Sequence, residues 1–293
     1  MTISETLRKE IRRQYLETDL TIKELASTNG VGITSVFRIC NEEMGLSKRN
    51  NPNWKIKPYY SKNRIEVDEN YFNLIDSADK AYWLGFIAAD GWLSSNLENP
   101  RMMIGLSLKD ISHLEKFKNQ IKFTGIISKS TQLHKKTNHY NESCRIEIKR
   151  KSLCEDLITH GVKPNKSKEL SLPNLPDNLM RHYIRGYFDG DGCWTVRECK
   201  TMCFSIVSSV ESFALELRKY LSIKCNLNEN IKITSYNNAY AFIYSGNIQT
   251  KRFYDFLYEN GGPWLDRKYE KSTEWFQNHN NSSSNLNNDS TLN

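Results

Sequence analysis

Ala81-Tyr-Trp-Leu-Gly-Phe-Ile-Ala-Ala-Asp-Gly91 returns later in the chain as His182-Tyr-Ile-Arg-Gly-Tyr-Phe-Asp-Gly-Asp-Gly192. Each stretch reads as a buried helix stopped at Asp-Gly, and the segments after the two copies repeat as well, which is the signature of a duplicated unit. Strand-like alternation comes next, over residues 102–108 in the first half and 201–207 in the second. Helices come after it, over 111–121 capped by Asp110 and over 210–221 capped by Ser209. Two more strand-like runs fall near 125–131 and 144–148, then near 231–235 and 240–244. Each half closes on a helix ending in glycine, Gly161 or Gly261, as a left-handed cap requires. The aspartates lie 101 residues apart (191 − 90) and the closing glycines 100 apart (261 − 161). The predicted class is α+β, with pseudo-symmetric tandem αββαββα repeats over 71–175 and 176–276.

The repeated helices carry the chemistry. Gly85 and Ala89 are four residues apart, as are Gly186 and Gly190, so each helix has one face of small side chains where another backbone can approach closely. Pairing these faces brings Asp90 and Asp191 together at the same end. Two carboxylates side by side repel, and the C-terminal helix dipole disfavours them further. The glycine after each aspartate is expected to take the left-handed geometry that stops a helix. A hard divalent cation, Mg²⁺ or Mn²⁺, held by Asp90, Asp191 and the backbone carbonyls of Ala89 and Gly190, is the expected compensator. Such an ion lowers the pKa of a bound water and stabilises a leaving oxygen, which suits phosphodiester hydrolysis. A single Asp-Gly at a helix end would mean little. Two in register within a repeat are hard to assign to chance.

These residues resemble a known family. Residues 83–91 and 184–192 are similar to the two motifs of the LAGLIDADG homing endonucleases, and the similarity extends over about 71–276, in the monomeric two-motif form. The resemblance implies a saddle of two β-sheets over double-stranded DNA, with paired motif helices at the dyad cutting both strands across the minor groove. On that pattern Asp90 and Asp191 are the metal-binding acids, one for each strand. It also implies a basic residue near each half-site. Lys166 and Lys268 occupy matching places and are candidates for polarising the scissile phosphate or ordering solvent, with Arg267 as a helper. The sixth motif position is Ala88 in one copy and Asp189 in the other, and Arg185 is unusually polar for a packed helix, so the two helices are expected to differ.

Recognition is then expected of the strands. Lys129, Lys135, Lys136, Arg145 and Lys149 fall between residues 129 and 149, where alternation sets one group of side chains toward DNA. The matching segment of the second half, 228–244, is more neutral, and its contacts are expected to depend less on salt.

Ahead of the repeats, residues 1–46 read as three helices. The first covers 5–17. Thr21 with Glu24 forms a capping box for the second, Asn29 and Gly30 end it, and a third runs over 34–44 with Val36, Ile39 and Cys40 inward. A short helix, a glycine-containing turn and another short helix make a helix-turn-helix, whose outward Thr34, Ser35, Arg38 and Asn41 are candidates to meet base edges. Residues 47–70 are a basic, aromatic-containing linker that suits a solvated tether and a strap along phosphates equally, and 277–293 are expected to be disordered.

Composition sets the outer limits. With 38% hydrophobic and 26% charged residues in a chain of 293, a folded core is expected, and a net charge of +7 favours a polyanionic partner only weakly. The most apolar stretch, 82–93, is far shorter than the ~20 residues that span a bilayer. Seven cysteines without a paired CxxC read as reduced thiols of a cytoplasmic protein, bacterial, phage-encoded or in an organellar matrix. Two other functions compete: a non-catalytic DNA-binding regulator, which would be expected to have lost the acids, and a maturase binding intron RNA, which could keep them. A chain that starts at Met1 and ends in an Asn/Ser tail does not fit a self-splicing intein.

Overall fold

The computed structural model describes residues 3–18, 20–42, 65–96, 98–134, 138–166 and 168–288. They fall into two compact units, Met1–Ile65 and Glu66–Asn293.

The first unit packs α1 (Glu5–Glu17), α2 (Ile22–Asn29) and α3 (Ile33–Phe37). Ser4 caps the first helix, and the expected capping box is formed: the Thr21 hydroxyl accepts from Glu24 N while the Glu24 carboxylate accepts from Thr21 N. Gly30, at φ +64°, ends α2. The core is Ile11, Tyr15, Leu25, Ala26, Val36, Ile39 and Cys40. The third helix is shorter than expected, because after Phe37 the backbone widens into a π-turn over Arg38–Glu42. Thr34 and Arg38 are exposed and Ser35 is half-buried, while Asn41's side chain lies outside the described residues.

The second unit contains the duplication. A motif helix, Ala78–Asp90, leads into β1 (Gly91–Leu93) and β2 (Met102–Ser107), helix Ile111–Gln120, β3 (Ser128–His134), β4 (His139–Ile148) and helix Lys151–Thr159. The second copy runs through motif helix Asp177–Asp191, β5 (Gly192–Val196), β6 (Met202–Ser208), helix Glu211–Lys224, β7 (Thr234–Tyr236), β8 (Ala239–Ser245) and helix Asn247–Tyr258. Both sheets are antiparallel with equivalent orders, β1-β2-β4-β3 and β5-β6-β8-β7. The alternation predicted from sequence is visible in β2 and β4, where Met102, Ile104, Cys144, Ile146 and Ile148 face the core. Gly161 (φ +92°) and Gly261 (φ +62°) take the left-handed conformation expected of them.

Several expectations are corrected. Asp110 makes no capping hydrogen bond; its carboxylate pairs with Arg267 instead. Val210, rather than Ser209, occupies the N-cap of the matching helix, and the Ser208 hydroxyl accepts from Val210 N. The linker's last residues belong to the second unit, since Asp68 N bonds Ile121 O and Thr124 N bonds Glu66 O; residues 47–64 lie outside the described residues. The chain from Gln277 does not leave the fold at once. The last helix, Asp266–Asn288, continues through it, because a packed first half with Trp275 and Phe276 buried removes the nucleation cost, and each added residue then costs little. Cys193 and Cys199 are exposed thiols, while the other five are buried. No helix among the described residues is long and apolar enough to cross a membrane.

Candidate active site

The two motif helices cross at their small faces. A Cβ on Gly85 would overlap the carbonyl of Tyr183, and one on Gly186 the carbonyl of Tyr82. The relation is reciprocal, as a pseudo-two-fold axis through the crossing requires. Lower down, a Cβ on Gly190 would run into Ala89 and come within 3.3 Å of the Asp90 carboxylate. The crossing therefore holds both acids at the same end. Gly91 and Gly192 come directly after them, but not for the conformational reason the sequence suggests: their φ values are −74° and −99°, in extended backbone. Space is the reason. A side chain at Gly91 would strike Ile87, and one at Gly192 the ring of Phe188.

Both acids are held above the ordinary carboxylate range. Asp191 rises to about 6, first because surrounding protein displaces its water and second because Asp90 repels it. Asp90 is raised by the same loss of solvent, partly offset by Lys166, Lys268 and Arg267.

Positive charge beneath the acids comes from the protein itself. The Lys166 ammonium donates to the carbonyls of Ile87 (3.0 Å), Ala88 (2.8 Å) and Ala89. That of Lys268 donates to Phe188 (2.8 Å), Asp189 (2.7 Å), Gly190 (3.3 Å) and Gly192. Each lysine thus caps the C-terminal turn of the motif helix in its own half, where the dipole is negative and carbonyls lack partners. Desolvation lowers both lysines, Lys166 to about 8. Lys166 and Lys268 were expected to polarise the scissile phosphate or order solvent; in the fold their ammonium groups hydrogen-bond the carbonyls at the helix ends and set the potential at the acids. Ala89 and Gly190, expected as metal ligands through their carbonyls, already accept these ammonium groups, leaving the carboxylates as the outward donors.

Arg267 is arranged differently. Its Nε donates to both oxygens of the buried Asp110 at 3.0 Å. This ion pair joins the two repeats and leaves the two terminal guanidinium nitrogens available to a ligand. Asp90, Lys109, Asp110, Arg145 and Arg267 line one cleft of about 540 Å³, floored by Met103, Gly105, Ser107 and Ser143 from the outer face of the first sheet. So the acid opens onto that face. The position matching Arg267 in the first repeat is Asn165 (267 − 102), so among the described residues Asp191 has no equivalent guanidinium. Its neighbour is the Tyr187 hydroxyl, which lowers its pKa; the matching residue beside Asp90 is Phe86 (187 − 101). Asp110 was missed because Asp before a helix reads as a cap, and only long-range packing brings Arg267 to it.

The departures in the motifs make two buried sets of hydrogen bonds, linked where the Arg185 guanidinium lies over the Tyr82 ring at 5.7 Å. Arg185 donates to Leu257 O (2.7 Å), Gly261 O (2.5 Å) and His182 Nδ1 (2.8 Å). Asp189 accepts from the Tyr82 hydroxyl and from Leu265 N, both at 2.8 Å, which fixes the loop leading to Arg267 and Lys268.

Register sorts the remaining candidates. Arg145 sits opposite Gly105 and Ser128 on the outer face, and Lys149, two pleats on, is exposed 3.5 Å from Glu147. Lys129 pairs with the buried Cys144, so it stands on the opposite face from Arg145 and the two cannot read the same groove. Lys135 and Lys136 lie outside the described residues. No group of three or more His, Cys, Asp or Glu side chains able to hold a metal occurs among the described residues.

Residues 178–257 match the family described as a LAGLIDADG-like domain. A comparison with curated proteins finds no match. Among solved structures, the chain is similar to the homing endonuclease I-WcaI bound to its DNA recognition sequence (14% identity, 69% of this chain and 91% of that one, TM-score 0.49). It is also similar to the LAGLIDADG homing endonuclease I-LtrWI bound to target DNA (12%, 74% and 92%, 0.48) and to the LAGLIDADG meganuclease I-AabMI bound to uncleaved DNA (15%, 70% and 91%, 0.46). At these scores the fold rests on the equivalent sheet orders and the reciprocal helix crossing.

Proposed function

We propose that this chain, with its LAGLIDADG-like domain, is a site-specific homing endonuclease that hydrolyses phosphodiester bonds on both strands of a long double-stranded DNA target. The observation that carries this reading is the convergence of Asp90 and Asp191, one from each repeat, at the crossing of two equivalent helices. A non-catalytic regulator has no use for two acids held together with raised pKa values. The donor set fits a hard divalent cation, Mg²⁺ or Mn²⁺: two carboxylate oxygen donors whose mutual repulsion a cation relieves. Bound there, the ion supplies an acidified water and charge stabilisation of the leaving oxygen.

The chain's own residues do the rest. Lys166 and Lys268 hold the helix ends and moderate the repulsion between the acids. Arg267, oriented by Asp110, offers two guanidinium nitrogens to a phosphate in Asp90's cleft, in the planar geometry suited to phosphate oxygens. The chain acts as a monomer, since its two repeats already supply both acids. Thr34, Ser35, Arg38 and Asn41 of the first unit would lengthen the recognised site.

The test is strand-resolved cleavage of a duplex made by joining the sequences that flank the gene. Asp90→Asn and Asp191→Asn are each expected to yield nicked product, on opposite strands, while retaining affinity in Ca²⁺. Unchanged double-strand cutting by both variants would refute the assignment.

A further inference from the structure

Resting on that reading, we infer that the outer face of the second sheet reads thymine methyl groups in the major groove of its half of the target. Register defines the face: Val207 pairs with Ala241 and Ser205 with Ile243. Val207 is 37% and Ile243 46% exposed, while their inward neighbours Ile206, Phe242 and Tyr244 are fully buried, so the core is complete without them. Opposite and diagonal neighbours on one face of a pair lie within reach of each other, so Val207, Ala241 and Ile243 form one alkyl patch.

The residue types missing from these strands decide what they can read. Across β5 to β8 there is no charged side chain and no Asn, Gln or His. Guanine is read by paired donors from Arg or Lys and adenine by Asn or Gln, whereas the C5-methyl of thymine is met by apolar contact. Alkyl groups with interspersed hydroxyls therefore leave thymine as the base these strands distinguish.

The occupant is a duplex rather than a second copy of the chain. The strand that opens this sheet starts at Gly192, directly after Asp191, with Cys193 as its first residue on the outer face, and the matching face of the first sheet opens with Asp90 into one cleft. At its rim Arg197, Lys200 and Lys232 are exposed, with Glu198 among them; these cations complement phosphates and would oppose one another across a self-paired face.

The full chain in Ca²⁺ would be used to select duplexes from a random-sequence pool, and the recovered site rebuilt with deoxyuridine replacing thymidine in one half at a time. Thymine should be enriched in one half, and there each removed methyl should weaken binding about fourfold, the value of one buried CH₂ group. The other half should tolerate deoxyuridine. Ile243→Ser should abolish the methyl effect, so that thymidine and deoxyuridine duplexes are bound alike, and Ala241→Arg should introduce a guanine preference in that same half. If deoxyuridine is neutral in both halves of a site that is still bound and cut, the methyl reading is overturned and the endonuclease stands. If no duplex is selected or cut, the nuclease reading itself fails. A dimer in solution that Ile243→Asp converts to monomer would assign the face to a second copy and overturn the inference.

Discussion

The two sheets match position for position and differ in what they offer. Where Gly105 pairs with Arg145 and Met103 with Glu147 in the first, Val207 pairs with Ala241 and Ser205 with Ile243 in the second. Inside, the correspondence is close: Ile104 opposite Ile146, Ile206 opposite Phe242, each beside the glycine next to an acid. Duplication has kept what the core and the helix crossing need and released what faces outward. The active centre shares this division, with lysine caps under both helix ends but, among the described residues, a guanidinium beside Asp90 and a tyrosine beside Asp191.

Replacing the acids is the strongest way to break the symmetry. On the proposed assignment each acid holds metal for one strand, so Asp90→Asn or Asp191→Asn should slow cleavage of that strand by about a thousandfold, since metal stabilisation is worth several kcal/mol; gels resolving each strand check it, and equal loss on both strands would mean that the acids act as one unit. The helix crossing should respond alike from either side. Gly85→Ala and Gly186→Ala each force a carbonyl and a Cβ apart and should cost about 3 kcal/mol in urea unfolding. A large inequality would show that one helix can yield.

Stability against pH separates the acids differently. Asp191's folded pKa, about 6, lies above its unfolded 3.8, so the folded state binds more protons between them and its stability falls as pH rises through that window. Asp191→Asn should therefore stabilise the metal-free protein by about 3 kcal/mol at pH 7, with the gain vanishing near pH 3.5.

Arg267→Ala and Asp110→Asn should each slow cutting by about tenfold on the strand served by Asp90 and leave the other strand alone, the loss of one charge-assisted phosphate contact. The smallest effect concerns salt. Arg145→Ala should reduce the slope of log affinity against log salt by about one, whereas Ala241→Ser should not move it.

Much of this was legible in the sequence. Spacing alone identified the duplication, the small helix faces, the paired aspartates, the capping box at Thr21 and the closing glycines, because each is a local pattern repeated at a fixed interval. The Asp110–Arg267 pair was not legible: its partners are 157 residues apart, and Asp110's local context favours a cap. Which of the strand cations share a face was not legible, and Lys129 falls opposite to Arg145, because a strand's register depends on its partner. The lysines were found by position, but their role as helix caps depended on where the chain returns.

The sequence by itself therefore determined the elements, their doubling and the identity of the two acids, since hydrophobic period and glycine spacing are properties of neighbouring residues. Tertiary structure alone decided which charges meet those acids and which side chains face outward, because burial and pairing between distant segments set both the local potential and the register.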